Sequence, residues 1–204
     1  MIWSICIPTL ASREQKLLGL LQLLLPQAEA CKDGVEVIAL HNNGERPLAD
    51  IRQDLLMSAR GTYISFVDDD DRVADDFVPV IAAAMAGGKA DYVAFQHALY
   101  EDGVLQPMTV HTGIQYNGWY DDPPRAVRDV THINPVRATI ARQADFRTAG
   151  HEWEDRAYVS AIRPLLHTQV SIERVMYHYY HSVSDSSQSI LRPHTHTPRP
   201  VVLR

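Results

Sequence analysis

Residues 61–71 read Gly61-Thr62-Tyr63-Ile64-Ser65-Phe66-Val67-Asp68-Asp69-Asp70-Asp71. Gly61 breaks the helical stretch before it. Thr62 to Val67 is a β-branched and aromatic run of strand type, and four consecutive acids stop it. Upstream, Ile2 to Ile7 reads as a buried strand ending at Pro8-Thr9. Ser12 with Gln15 has the spacing of a capping box, opening a leucine-rich helix that runs to Pro26. Val35 to Leu40 is a second strand, stopped by Asn42-Asn43-Gly44. Pro47 suits the first position of a helix over Leu48 to Ala59. Downstream, Asp75 to Met85 is helical and closes at Gly87-Gly88. Tyr92 to Leu99 is a strand, paired with its successor across Glu101-Asp102-Gly103. Strands alternating with helices predict an α/β domain, a mostly parallel sheet with helices on both faces.

The second half is patterned differently. Residues 107–131, rich in Gly, Pro, Asp and Tyr, read as a long loop over the sheet. Pro135 to Phe146 and Glu152 to Ile162 read as helices, and Thr168 to Tyr180 as one or two strands. Residues 184–204, Ser-rich and then Pro/His-rich, read as a loop or tail, leaving one domain over 1–183. At 204 residues, with 46% apolar and 22% charged side chains, the chain can bury a core without disulfides or a structural metal. Its net charge of −6 argues against a general nucleic-acid coat protein. Cys6 and Cys31 fit no zinc pattern and read as small hydrophobes in a reducing compartment. The longest apolar stretch, Leu17 to Leu25, is too short to span a bilayer, and Met1 to Ile5 carries no basic leader. A cytoplasmic protein is the expectation.

In an open α/β sheet, ligands bind beyond the carboxyl ends of the strands, where Asp68 to Asp71 lie. In extended backbone Asp68 and Asp70 share one face. Four adjacent carboxylates repel each other, and a hard divalent cation, Mg²⁺ or Mn²⁺, removes that repulsion. The competing reading is a solvated acidic turn that caps the next helix. A calcium loop fits less well still, since Arg72 and Val73 stand where an acid or amide and a glycine are needed.

Three stretches occur in order: Ser4-Ile5-Cys6-Ile7-Pro8-Thr9-Leu10, the 61–71 segment with Ala59 ahead of it, and Gly150-His151-Glu152-Trp153-Glu154-Asp155-Arg156. Together they resemble glycosyltransferase family 2, with the GT-A fold, over about residues 2–181. The resemblance implies donor binding in about 1–100 and acceptor binding and catalysis in about 101–183. It implies that Asp68 and Asp70 form a D-x-D that holds the metal and the pyrophosphate of a nucleotide sugar, with a UDP-sugar favoured. Pro8, Thr9, Arg13, Asn42, Asn43 and Asp69 would stand on the donor side. Asp155, with Glu154 beside it, would supply the catalytic base. His41-Asn42-Asn43 replaces the Asp with which the family's second strand ends and which reads uracil.

The chemistry needs a Lewis acid on the leaving diphosphate and a carboxylate that takes the acceptor's proton. A single base opposite the leaving group implies inversion. Glu154 and Asp155 open a helix, which favours ionised carboxylates but equally suits plain capping. His181, on the same strand face as Tyr177 and Tyr179, could complete the metal shell. His132, Trp119, Trp153 and Arg125 could line an acceptor site. Arg125, Arg128, Arg137, Arg142 and Arg147 make residues 124–147 locally basic, either as a solvated surface or for a polyanion such as DNA. Two other classes compete. A nucleotidyltransferase would want a Gly-rich phosphate loop after the first strand, and residues 8–13 hold no glycine. A non-catalytic nucleotide-sugar-binding module would not need the intact acids.

Overall fold

The computed structural model describes residues 1–149, 154–182 and 202–203. Among these residues eleven strands form one mixed sheet: β1 (Trp3–Leu10), β2 (Val35–Asn42), β3 (Tyr63–Phe66), β4 (Arg72–Val73), β5 (Tyr92–Glu101), β6 (Val104–Thr112), β7 (Tyr120–Asp122), β8 (Arg125–Arg128), β9 (Val136–Arg137), β10 (Gln169–His181) and β11 (Val202–Leu203). The helices are α1 (Glu14–Ala30), α2 (Leu48–Ser58), α3 (Phe77–Met85), a short α4 (Ala138–Ala141) and α5 (Glu154–Ile162). β2, β1 and β3 are parallel neighbours, and β10 runs parallel to β5. The expected α/β sheet is therefore present.

Side-chain alternation in β1 divides the core. Trp3, Ile5 and Ile7 join the cluster under α1 and α3, while Cys6 joins the cluster under α2 and α5. Cys6 is buried and Cys31 half-buried, both as free thiols. Gly61 lets β3 begin against β1, because a Cβ there would stand 2.6 Å from the backbone of Trp3 and Ser4.

Several boundaries differ from the pattern reading. The Ser12 capping box does not form. A 3-10 turn, Ala11–Arg13, comes first, and α1 starts at Glu14 without a side-chain cap. That turn carries Arg13 back to the acidic run. α1 also continues through Pro26, because Leu17, Leu20, Leu24 and Ala28 keep one buried stripe across it. Gln27 then ties α1 to α3, accepting from Val78 N–H at 2.9 Å and donating to Ala74 O at 3.3 Å.

Residues 107–131 are not one loop. β6 continues to Thr112, and β7 and β8 extend the sheet beyond it. The helix expected over 135–146 is replaced by β9, α4 and a 3-10 turn at Phe146–Ala149. Val136, fully buried, pairs with Ile64 and Tyr92, so β9 fills the gap between β3 and β5. Within the expected tail, Val202–Leu203 pair with Leu40 and Ala39 of β2. Among the described residues no helix is long and apolar enough to cross a membrane.

Candidate active site

The carboxyl end of β3 meets the start of α5 at one edge of the sheet. The chain turns after Val67, with Asp71 N–H on Asp68 O at 3.2 Å. The alternation expected of the acids survives this turn. Asp69 and Asp71 are buried, whereas the Asp68 and Asp70 side chains are 24% and 28% exposed.

Each acid has its own partners. Asp69 is gripped from β1 and the turn after it: Thr9 Oγ1 donates to it at 2.7 Å, Leu10 N–H at 3.4 Å and Arg13 at 3.1 Å. Arg13 also pairs with Asp70 at 2.9 Å. Asp71 accepts the Tyr177 hydroxyl at 2.6 Å and Tyr180 N–H at 2.7 Å, both from β10. Asp68 takes Arg52 at 2.9 Å, and His132 Nε2 stands 3.7 Å from its other oxygen.

Arg52 organises the site, and the pattern reading missed it. It lies on α2, 4% exposed, and its second nitrogen reaches Glu154 at 3.3 Å. One guanidinium therefore joins the acidic run to the late Glu-Asp pair. Burial opposes its charge, but Asp68, Glu154 and Asp155 outweigh burial and hold the cation. Its signal in the sequence was a charged residue inside the stripe of Ala49, Leu55 and Leu56.

The carboxyls respond differently. Burial would raise Asp68, but Arg52 and His132 hold it well below the usual carboxylate range. Burial raises Asp70; Arg13 opposes this, and Asp68 and Asp69 add to it. Asp71 is pushed well up by burial and by Asp68, despite its two donors. Asp68 and Asp70 are the partly exposed acids of the run, and carboxylate oxygens of this kind suit a hard divalent cation. Among the described residues no three His, Cys, Asp or Glu side chains converge as a ready-made cage. Asp68, Asp70 and His181 are not preassembled. His181 ends β10, its carbonyl accepting from Asp102 N–H at 2.9 Å. Two carboxylates with the remaining positions left to diphosphate oxygens and water match the usual mode for Mg²⁺.

Asp155 lies in the first turn of α5, half-buried, its Oδ1 accepting Arg156 N–H at 2.7 Å. Tyr179, 38% exposed, feels both acid groups: burial and the charges of Asp71, Asp68, Asp70 and Asp155 push its hydroxyl up to about 12. Trp119, 39% exposed, lies under the guanidiniums of Arg128 and Arg156 at 5.2 and 5.4 Å, the latter adjoining Asp155 in sequence.

The other expected residues are placed as follows. Pro8 is buried within β1, and Thr9 is spent on Asp69. Asn42 closes its own loop, donating to Arg46 O at 2.8 Å and accepting Arg46 N–H at 3.3 Å, while Asn43 is exposed beside it. His132 backs Asp68, packed edge-on to Phe66. Arg125 opens β8 on the surface. Trp153 lies outside the described residues. The arginines of 124–147 do not form one face. Arg137 binds Asp91 and the carbonyls of Gly88 and Ala90, and Arg142 binds Ala59 O, both at the opposite edge of the sheet. Arg147 is paired with Asp145.

The family model described as glycosyl transferase family 2 matches residues 26–150. The chain belongs to that family, as the three motifs implied. No curated protein matches it. Among solved structures, S. aureus TarS is similar at 16% identity and TM-score 0.64, over 88% of this chain and 37% of TarS. TarS 1-349 in complex with UDP-GlcNAc gives TM-score 0.65 at 16% identity, over 89% of this chain and 59% of that one. Its complex with UDP gives 0.60 at 18%, over 90% and 61%. At such identities the likeness shows the fold. This chain spans at most about three fifths of the TarS chains it matches.

Proposed function

We propose that this chain transfers a sugar from a nucleoside-diphosphate sugar, a UDP-sugar in particular, to a hydroxyl acceptor with inversion at the transferred carbon. The observation that carries the reading is the Arg52 bridge, which brings Asp68 of the acidic run and Glu154, next to Asp155, to one guanidinium. Family membership and the UDP and UDP-GlcNAc complexes of the TarS neighbours support the donor class.

In this reading Asp68 and Asp70 would hold Mg²⁺ or Mn²⁺ with the donor diphosphate, and the cation would supply charge neutralisation at the leaving phosphate. Arg13 holds Asp70 and Arg52 holds Asp68, each through its own ion pair. Asp155 accepts the acceptor's hydroxyl proton as the new glycosidic bond forms and the bond to the diphosphate breaks. Glu154, tied to Arg52, orients the first turn of α5. Trp119, 39% exposed and in contact with Arg156, the sequence neighbour of Asp155, suits a saccharide acceptor more than the dispersed arginines suit DNA. The donor is drawn from the cytoplasm.

The test is release of nucleoside diphosphate from a panel of UDP-, GDP-, CDP- and dTDP-sugars, with MnCl₂ or with EDTA. Release from one nucleotide class, abolished by EDTA and by Asp70→Asn, is expected. Release that ignores both, or no release from any donor with sugar acceptors present, refutes the reading.

A further inference from the structure

Tyr177 is fully buried in β10, its ring 5.5 Å from that of His97. The phenol oxygen makes two bonds to the acidic turn. It donates to Asp71 Oδ2 at 2.6 Å and accepts from Asp68 N–H at 3.2 Å. The other oxygen of Asp71 accepts Tyr180 N–H at 2.7 Å, two bonds that anchor this carboxylate to one strand. The turn itself closes between Asp71 N–H and Asp68 O. Opposite, His132 is 8% exposed, and its Nε2 points at Asp68 from 3.7 Å without a hydrogen-bond partner.

Four adjacent carboxylates repel, so their spacing must be imposed from outside the turn. Thr9 and Arg13 fix Asp69 from β1. On the β10 side, Tyr177 engages both ends of the run through one atom. β10 is itself held in register with β5 and, through Tyr177 and Val73, with β4. A hydroxyl seated this way ties the first and last acids of the run to β10.

We propose that Tyr177 is a positioning residue that holds the Asp68–Asp71 turn in the shape that binds the donor's diphosphate. The proposal rests on the reading that Asp68 and Asp70 take the diphosphate with its cation. Tyr177 touches no reacting atom, so its loss falls on donor binding and not on proton transfer at Asp155.

The test uses calorimetric titration of the full chain with UDP, GDP, CDP and dTDP in MnCl₂. It compares wild type with Tyr177→Phe, Asp71→Asn, their combination and Asp70→Asn. Tyr177→Phe keeps the ring and its packing and is expected to raise the nucleotide Kd about tenfold, the equivalent of one charge-assisted hydrogen bond. Asp71→Asn, which leaves the core ring in place, is expected to act in the same direction. The combination is expected to be no worse than the worse single variant, because both break one contact. With substrate, the donor KM rises in Tyr177→Phe as the nucleotide Kd does. A lowered Tm with an unchanged Kd, in either folded single variant, overturns the proposal and leaves the reading standing. Unchanged binding in Asp70→Asn, or a wild-type chain that binds none of the four nucleotides, overturns the reading itself and the proposal with it.

Discussion

The Arg52 guanidinium lies 2.9 Å from Asp68 Oδ1, 16 residues further along the chain. Its other arm reaches Glu154 across 102 residues. Removing the cation would leave two acids facing each other in poor contact with water. Arg52→Leu is therefore expected to cost about 3 kcal/mol, the low end for breaking a buried ion pair because Asp68 keeps some solvent. Arg52→Lys cannot span both acids with one planar fork and is expected to fall between. Urea unfolding of the three proteins checks the order.

Asp70→Asn is expected to lose Mn²⁺-dependent nucleotide binding while Tm holds or rises. Burial, Asp68 and Asp69 all oppose the Asp70 charge, so a neutral amide relieves repulsion that the fold tolerates for function. Paired calorimetry and melting measure both. A lowered Tm together with retained binding contradicts the assignment.

Asp155→Asn is expected to keep nucleotide affinity and lose about 10²–10⁴-fold in turnover, the usual range for a general base. Were Asp155 only a helix cap, stability would fall by about 0.5–2 kcal/mol and the rate per folded molecule would not change. Glu154→Gln, which weakens the Arg52 bond, is expected to show mainly in the melt, by about 1.5–3 kcal/mol.

Burial above all, with the charge of His132 beside it, holds the His97 imidazole down at about 3, against an ordinary 6.5. The folded chain keeps His97 neutral where the unfolded chain binds a proton. Stability from this residue is thus complete above pH 6.5 and declines as the pH falls from 6.5 towards 3, by up to about 1.4 kcal/mol per pH unit. His97→Leu is expected to flatten the acid limb of the stability curve by that slope. Denaturant titrations at pH 4.5, 5.5 and 7.5 measure the difference.

Gly61→Ala is expected to destabilise by about 1–3 kcal/mol, since its methyl would meet the backbone of Trp3 and Ser4 where β3 joins β1. The Ser4 hydroxyl accepts Gly61 N–H at 2.7 Å at the same point, so the strands cannot separate without losing that bond. Thermal melting of the variant checks it.

What the chain's own order settled was whatever local chemistry repeats or stops. The short apolar runs of β1, β2, β3 and β5, the leucine stripe of α1 and the Asp102-Gly103 turn, with φ of 47° and 81°, each depend on near neighbours in sequence. They placed four acids at a strand's carboxyl end, and alternation then separated outward Asp68 and Asp70 from inward Asp69 and Asp71. The tertiary structure decided everything that depends on a distant partner. Val136 became a strand because a gap between β3 and β5 offered Ile64 and Tyr92, overriding a helical pattern. Pro26 stayed inside α1 because the buried stripe resumed after it. Arg52 and Tyr177 joined the site because burial leaves a guanidinium or a phenol only the partners that folding brings to it, and no local period encodes those.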